Sequence, residues 1–247
     1  MASRIALLCL LGLVVASPAV ADYSGSYYKL SLMWPGAYCE QTKAGCCKPT
    51  TGVSPARDFY ITGFAVYNAT TQCSNAPFDI NEIIDLPGLL QYWSNIKCPG
   101  NDGRSSWKKA WKNSGRCSGL EQKDYFETAL ALRSRLNPLV RLKHAGIEPD
   151  MGMYSVEEIK RVFQTEIDAA PLIQCSKGSL GKFQLFQLYF CAVAENGTFI
   201  DCPTAPAYTC SDEILFPPFE KWMLKQQQIK YAALYDPMMP AAVAMDH

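Results

Sequence analysis

Residues 105 to 117 read SSWKKAWKNSGRC, and this run crowds together side chains able to do chemistry. Lys108, Lys109, Lys112 and Arg116 lie within it, Arg104 just precedes it, and Asp102 is the one acid close by. Cations at this density can hold a phosphate, arginine as a planar fork and lysine as a point charge. A lysine can also move protons if burial or a cationic neighbour brings its reference pKa of about 10.4 down towards neutrality. Lys108 and Lys112 are such neighbours for Lys109. The same pattern also fits a solvated basic face that does no chemistry. Imidazoles are scarce: His144 lies in LKHAGIEPD and His247 ends the chain. With so few of them and no C-x-x-C pair, neither a metal site nor a cofactor is expected.

The elements that would place these cations follow from the surrounding pattern. Trp107 and Trp111 stand one helical turn apart, so they share a face and predict a short helix with its apolar side turned inward. Gly115 stands where such a helix would stop, and Cys117 follows as if to pin its end. The stretch DFYITGFAV (58–66) is aromatic and β-branched, as buried strands are. FQLFQLYFCAV (183–193) and TFIDC (198–202), joined by Glu195-Asn196-Gly197, predict a hairpin. Helical periodicity runs through INEIIDLPGLLQYWSNI, with a break at Pro87, and through YFETALALRSRL before Pro138. Ser155-Val156-Glu157-Glu158 opens another helix with a capping box. Strands and helices so mixed, without repeats, predict an α+β domain.

The 247 residues suffice for a sizeable core, and 49% apolar with 19% charged residues argues against disorder. Lys plus Arg and Asp plus Glu number 23 each, so no overall field recruits DNA or an anionic membrane, and any basic surface must be local. Arg4 followed by IALLCLLGLVV and then Ala19-Val20-Ala21 predicts a secretory signal peptide over 1–21. Of 11 cysteines, Cys9 falls inside that segment, which leaves an even ten, read as disulfides in a secreted chain. Asn68-Ala69-Thr70 and Asn196-Gly197-Thr198 are glycosylation sequons. The domain is expected over 22–219. Beyond Phe216-Pro217-Pro218-Phe219 the extension 220–247 lacks cysteine and reads as a docked or frayed tail, with a sorting propeptide as the sharper alternative.

Several spaced landmarks resemble one family. WPGAYC (34–39), the paired cysteines with KPTTG (46–52), DFYITGF (58–64), SSWKKAWKNSGRC, YFCAV, DCP and EILFPPF look like the plant S-like ribonucleases of the ribonuclease T2 family, from about Tyr28 to Phe219. The resemblance implies a central antiparallel sheet flanked by helices. It also implies five disulfides: Cys39 with Cys46, Cys47 with Cys98, Cys73 with Cys117, Cys175 with Cys210, and Cys191 with Cys202. Sequence alone cannot choose among the connectivities.

Ribonucleases of this type cleave RNA by attack of the ribose 2′-hydroxyl on the adjacent phosphate. That needs a general base, a general acid and positive charge, for which histidine is suited. The resemblance aligns the family's first histidine motif with Ile61-Thr62-Gly63-Phe64-Ala65-Val66 and its second with Lys109 to Cys117. Thr62, Lys109 and Ser114 then stand where histidines are expected, and Ala110 and Asn113 where a glutamate and a lysine are. The expected protein is therefore a secreted, monomeric, non-catalytic relative, extracellular or vacuolar, with a storage, stress-related or RNA-binding role. Weak RNA or nucleotide binding would fall to Lys108, Lys109, Lys112 and Arg116, with Tyr38 stacking on a base. Met33 takes the place of a base-holding glutamine. The alternative is an endoribonuclease with altered cleavage, centred on Lys109. No protein partner can be named.

Overall fold

The apolar-polar alternation of YYKLSLM makes Tyr27–Met33 a strand, β1. Tyr28, Leu30 and Leu32 enter the core, which leaves Lys29 and Ser31 on the opposite face. The computed structural model describes residues 23–41, 45–69, 72–99, 102–204 and 210–225. The expected signal segment, residues 226–247 of the extension, and His247 with them lie outside the described residues.

After β1 come α1 (Pro35–Gln41), β2 (Cys46–Cys47) and β3 (Tyr60–Tyr67). The periodic stretch around Pro87 forms two short pieces, a 3-10 turn over Ile80–Glu82 and α2 over Leu89–Tyr92, since Pro87 cannot continue a helix. The basic run forms the expected short helix, α3 (Arg104–Asn113), and a 3-10 turn over Gly115–Cys117 follows. Then come α4 (Gln122–Leu136), α5 (Pro138–His144) with proline in its first turn, and β4 (Met153–Ser155). In α6 (Val156–Ile167), the Ser155 hydroxyl caps the helix by accepting from Glu158 N. The last elements are β5 (Leu172–Lys177), β6 (Phe183–Val193), β7 (Phe199–Ile200), β8 (Glu213–Leu215) and β9 (Leu224–Lys225).

Seven strands form the main sheet in the order β3-β1-β6-β8-β4, with β5 and β7 also paired to β6. The expected hairpin is there: β7 lies antiparallel to β6, and Gly197 supplies the positive φ of the turn. The sheet is mixed rather than wholly antiparallel, because β6 and β8 run parallel where Gln184 meets Leu215. The chain leaves β7 at one end of β6 and returns to pair with its other end, which sets β8 in the direction of β6. A second, two-stranded sheet pairs β2 with β9 in parallel, so residues at the start of the expected extension dock on Cys46 and Cys47.

Disulfides join Cys39 to Cys46, Cys47 to Cys98, Cys73 to Cys117, Cys175 to Cys210 and Cys191 to Cys202. Trp34 ties the start of α1 to the Phe216-Pro217 segment. Its indole donates to Pro217 O at 2.6 Å, and its ring packs on Phe59 and Phe216. Asp58, at the entry to β3, pairs with Arg133 of α4 at 2.6 Å, and that guanidinium lies 3.7 Å from the centre of the Tyr92 ring.

Candidate functional site

Thr62 owes its position to an irregular pairing. Ser31 is opposite Gly63 while Leu32 is opposite Ile61, so β3 carries one residue too many and Thr62 bulges out of the ladder. Its side chain is exposed, and its Oγ1 accepts from Gln187 Nε2 at 2.8 Å. Facing this bulge across a groove of about 500 Å³ is α3.

Three contacts fix the rotation of α3. Trp107 and Trp111 are buried, and their indoles donate to Trp93 O at 2.8 Å and to Ala76 O at 3.2 Å. The Tyr125 phenol of α4 donates to Phe64 O of β3 and lies 3.5 Å from Ala110 O of α3, so one side chain spans both walls. Gly115 does not act as the left-handed helix stop that its position suggests, and its φ is not positive. It is needed because a β-carbon there would overlap the Trp111 ring.

With α3 so held, Ser106, Lys109, Ala110, Asn113 and Ser114 line the groove, opposite Lys29, Ser31, Thr62, Tyr67 and Tyr189. The five positions that the resemblance aligns with acid–base groups are thus brought together. The expected phosphate-holding cluster is not. Lys108 and Lys112 are exposed but do not line the groove, because the buried tryptophans turn them elsewhere on the helix. Arg116 lies on the following 3-10 turn, outside the groove, with its Nε buried and without a hydrogen-bond partner among the described residues.

Lys109 is exposed, so it lacks the burial that an acid–base role would require. Lys29, which its position inside a strand had hidden, provides the second cation of the groove. Its ammonium lies 5.0 Å from the centre of the Tyr189 ring and 5.9 Å from that of Tyr67, and burial holds its pKa below the ordinary lysine range. Among the described residues no carboxylate and no imidazole line the groove, and His144 sits exposed at the end of α5.

Thr62 and Ser106 also line a second, adjoining pocket of about 270 Å³. Its walls include Met33, Tyr38, Tyr60, Trp93, Asn95 and Lys97. Met33 is buried, as a core residue would be, yet its neighbours leave it at the pocket wall. Tyr38 stacks on Phe186 with ring centres 6.4 Å apart, and burial pushes its phenol pKa up. Ser94 Oγ is buried against this pocket with no hydrogen-bond partner among the described residues. The acceptor residues of the two sequons, Asn68 and Asn196, are exposed. The described residues contain no cluster of three or more histidines, cysteines or carboxylates able to hold a metal ion.

A model of the ribonuclease T2 family matches residues 25–202. Ribonuclease 1 of Arabidopsis thaliana is 36% identical over 228 residues, which cover 87% of this chain and 98% of that protein. The ribonuclease-like storage protein of Panax ginseng is 32% identical over 196 residues, 76% of this chain and 80% of that protein. Among solved structures, RNase NT in complex with 5′-AMP superposes with a TM-score of 0.71 at 34% identity, covering 79% of this chain and 99% of that one. A match that runs through the strand bearing Thr62, the helix bearing Lys109 and four of the five disulfides admits one assignment: the chain belongs to the ribonuclease T2 family.

Proposed function

We propose that this protein binds RNA or nucleotides in the groove between β3 and α3 without cleaving them. One observation carries the reading: among the described residues two lysines line the groove, and no histidine or carboxylate does. Attack of a ribose hydroxyl on phosphorus requires one group to take a proton and another to give one. Each such group typically contributes 10²–10⁴-fold. Thr62, Ala110, Asn113 and Ser114 supply neither, having no titration near neutrality. What remains is positive charge without acidic competition, beside a pocket with an aromatic wall and an orphaned hydroxyl at Ser94. Those features suit a phosphate and a base. That RNase NT was solved with 5′-AMP supports the ligand class.

Physiologically, the protein is proposed to be secreted, extracellular or vacuolar, glycosylated at Asn68 and Asn196, and accumulated in a storage or stress-related role. The relation to a ribonuclease-like storage protein supports this role. The test is an RNA cleavage assay on purified protein beside an active T2 ribonuclease, paired with a binding measurement. Saturable, salt-sensitive binding without cyclic-phosphate product is the expected result, and turnover would sink the reading. One observation favours residual cleavage: Lys109 reaches the groove opposite Thr62. Turnover that vanishes in Lys109→Ala would establish that alternative.

A further inference from the structure

We propose that Lys29 is a second phosphate-binding position, so that the groove takes an oligonucleotide with two phosphates in preference to a mononucleotide. The inference rests on the reading that the groove binds nucleotides, and it adds the length of the ligand.

Lys29 sits in the middle of β1, between Ala65 of β3 and Cys191 of β6, on the open face of the sheet. A lysine so placed is normally paired or swung out to water. Here its ammonium is packed between the rings of Tyr67 and Tyr189, and no carboxylate pairs with it among the described residues. The rings return part of the lost hydration as cation–π attraction but offer no hydrogen-bond acceptor. Three ammonium N–H groups at the wall of a groove whose described lining has no acid are therefore matched to an incoming anion. Solvent alone would suit a fully exposed lysine, whereas this one is partly stripped of water before any ligand arrives.

The spacing fits a chain of phosphates. Ser31, whose carbonyl accepts from Thr62 Oγ1, is two residues along the same strand face, about 7 Å from Lys29. One phosphate beside Thr62 and Lys109 and the next beside Lys29 would follow the groove. The sugar and base beyond the second phosphate would lie over the exposed ring of Tyr67, which comes after Lys29 along the sheet face and is itself stacked on Tyr27 with centres 5.1 Å apart. Aromatic shelves alternating with cations are the arrangement by which proteins hold single strands.

The experiment measures affinity of the full-length protein for 5′-AMP and for 5′-phosphorylated diadenylate at low and moderate salt. Wild type is expected to prefer the dinucleotide by roughly ten-fold, the size of one charge-assisted hydrogen bond. Lys29→Met should remove that preference and lower the salt slope by about 0.7, one phosphate's worth. Lys29→Arg, which keeps the charge and the ring contacts, should retain the preference and separates lost binding from a lost fold. Equal affinity of wild type for the two probes, or a preference unaffected in Lys29→Met, overturns the two-phosphate groove and leaves nucleotide binding standing. If neither probe binds wild type, the binding reading itself falls and this inference with it.

Discussion

Gln187 Nε2 donates to Thr62 Oγ1 at 2.8 Å, from β6 to β3 across the intervening β1. The contact is possible because Thr62 bulges out of its ladder towards the open sheet face. It occupies the threonine hydroxyl, which also lies 3.4 Å from Ser31 O as a donor. The side chain at the centre of the groove is thus a satisfied structural group. It cannot act as a base, and its hydrogen bonds direct it along the sheet.

Catalysis should therefore be absent and hard to restore. Purified protein is expected to release no cyclic phosphate from RNA at any pH from about 4 to 9, the range over which carboxylates and imidazoles change charge. Thr62→His alone should remain inactive, because Lys109, Ala110, Asn113 and Ser114 on the facing helix would still offer no matched proton partner. The check is product analysis by chromatography. Robust cleavage by the single variant would show that α3 supplies a competent acid, contrary to its composition.

Ligand binding should depend on which face of α3 a lysine occupies. Lys109 lines the groove and Lys108 and Lys112 do not. Lys109→Ala is expected to lower the slope of log affinity against log salt by about 0.7 for single-stranded RNA. The double variant Lys108→Ala with Lys112→Ala should change it by much less. Fluorescence anisotropy at several salt concentrations separates the cases, and equal effects would mean that the helix acts as a diffuse basic surface.

Much of this organisation was legible in the residues. The tryptophan spacing fixed the inward face of α3, the Asn-Gly turn fixed the β6–β7 hairpin, and the serine cap fixed the start of α6. Two parts of the site were not. Lys29 is hidden because a single polar residue in an apolar strand signals only the solvent side. Its approach to Tyr67 and Tyr189 depends on pairing β1 with two strands distant in sequence. Thr62 depends on a one-residue register shift, and no composition rule locates a bulge. The basic cluster was open between a phosphate site and a solvated face for a related reason. Charge density along a chain says nothing of rotation, and the buried indoles turned Lys108 and Lys112 away from the groove.

Gly115 is a sharp test of how α3 is seated. A β-carbon would overlap the Trp111 ring, which packs edge-on to Tyr125 with centres 5.9 Å apart. Gly115→Ala is expected to cost about 1–3 kcal/mol through overpacking. For a domain of this size that is a fall in melting temperature of roughly 2–4 °C per kcal/mol. Gly52→Ala makes a useful contrast: space around it is open, and only its positive φ opposes a side chain. Calorimetry that ranked Gly52→Ala as the more damaging variant would contradict the packing role of Gly115.

Secretion and oxidation can be checked together. Ten cysteines form five bridges in the described residues, and the remaining Cys9 lies in the expected signal segment. Protein recovered from a plant secretory host should start near Asp22, carry glycans at Asn68 and Asn196, and take up no alkylating reagent before reduction. Intact mass before and after reduction and deglycosylation decides each point. Two or more free thiols in the unreduced protein would contradict the pairing.

Stability should fail on the alkaline side, through phenols rather than acids. Burial drives Tyr60 and Tyr125 well above the ordinary phenol range, and for Tyr125 burial is the one cause. Below a pH of about 10 both are protonated in the folded and unfolded chains, so neither contributes a pH dependence. Above it the unfolded chain releases their protons while the folded chain retains them. The unfolded state then binds fewer protons, and stability falls with rising pH. Each phenol contributes about 1.4 kcal/mol per pH unit until its folded pKa is reached. Tyr125→Phe should remove one share of that slope. It should also cost about 1 kcal/mol at neutral pH, because the phenol's hydrogen bond to Phe64 O is lost. Denaturant unfolding at a series of alkaline pH values, with tyrosinate absorbance followed in parallel, tests both statements. If all thirteen tyrosines ionise together near pH 10 while the chain stays folded, the link between β3 and α3 through Tyr125 is not buried as described.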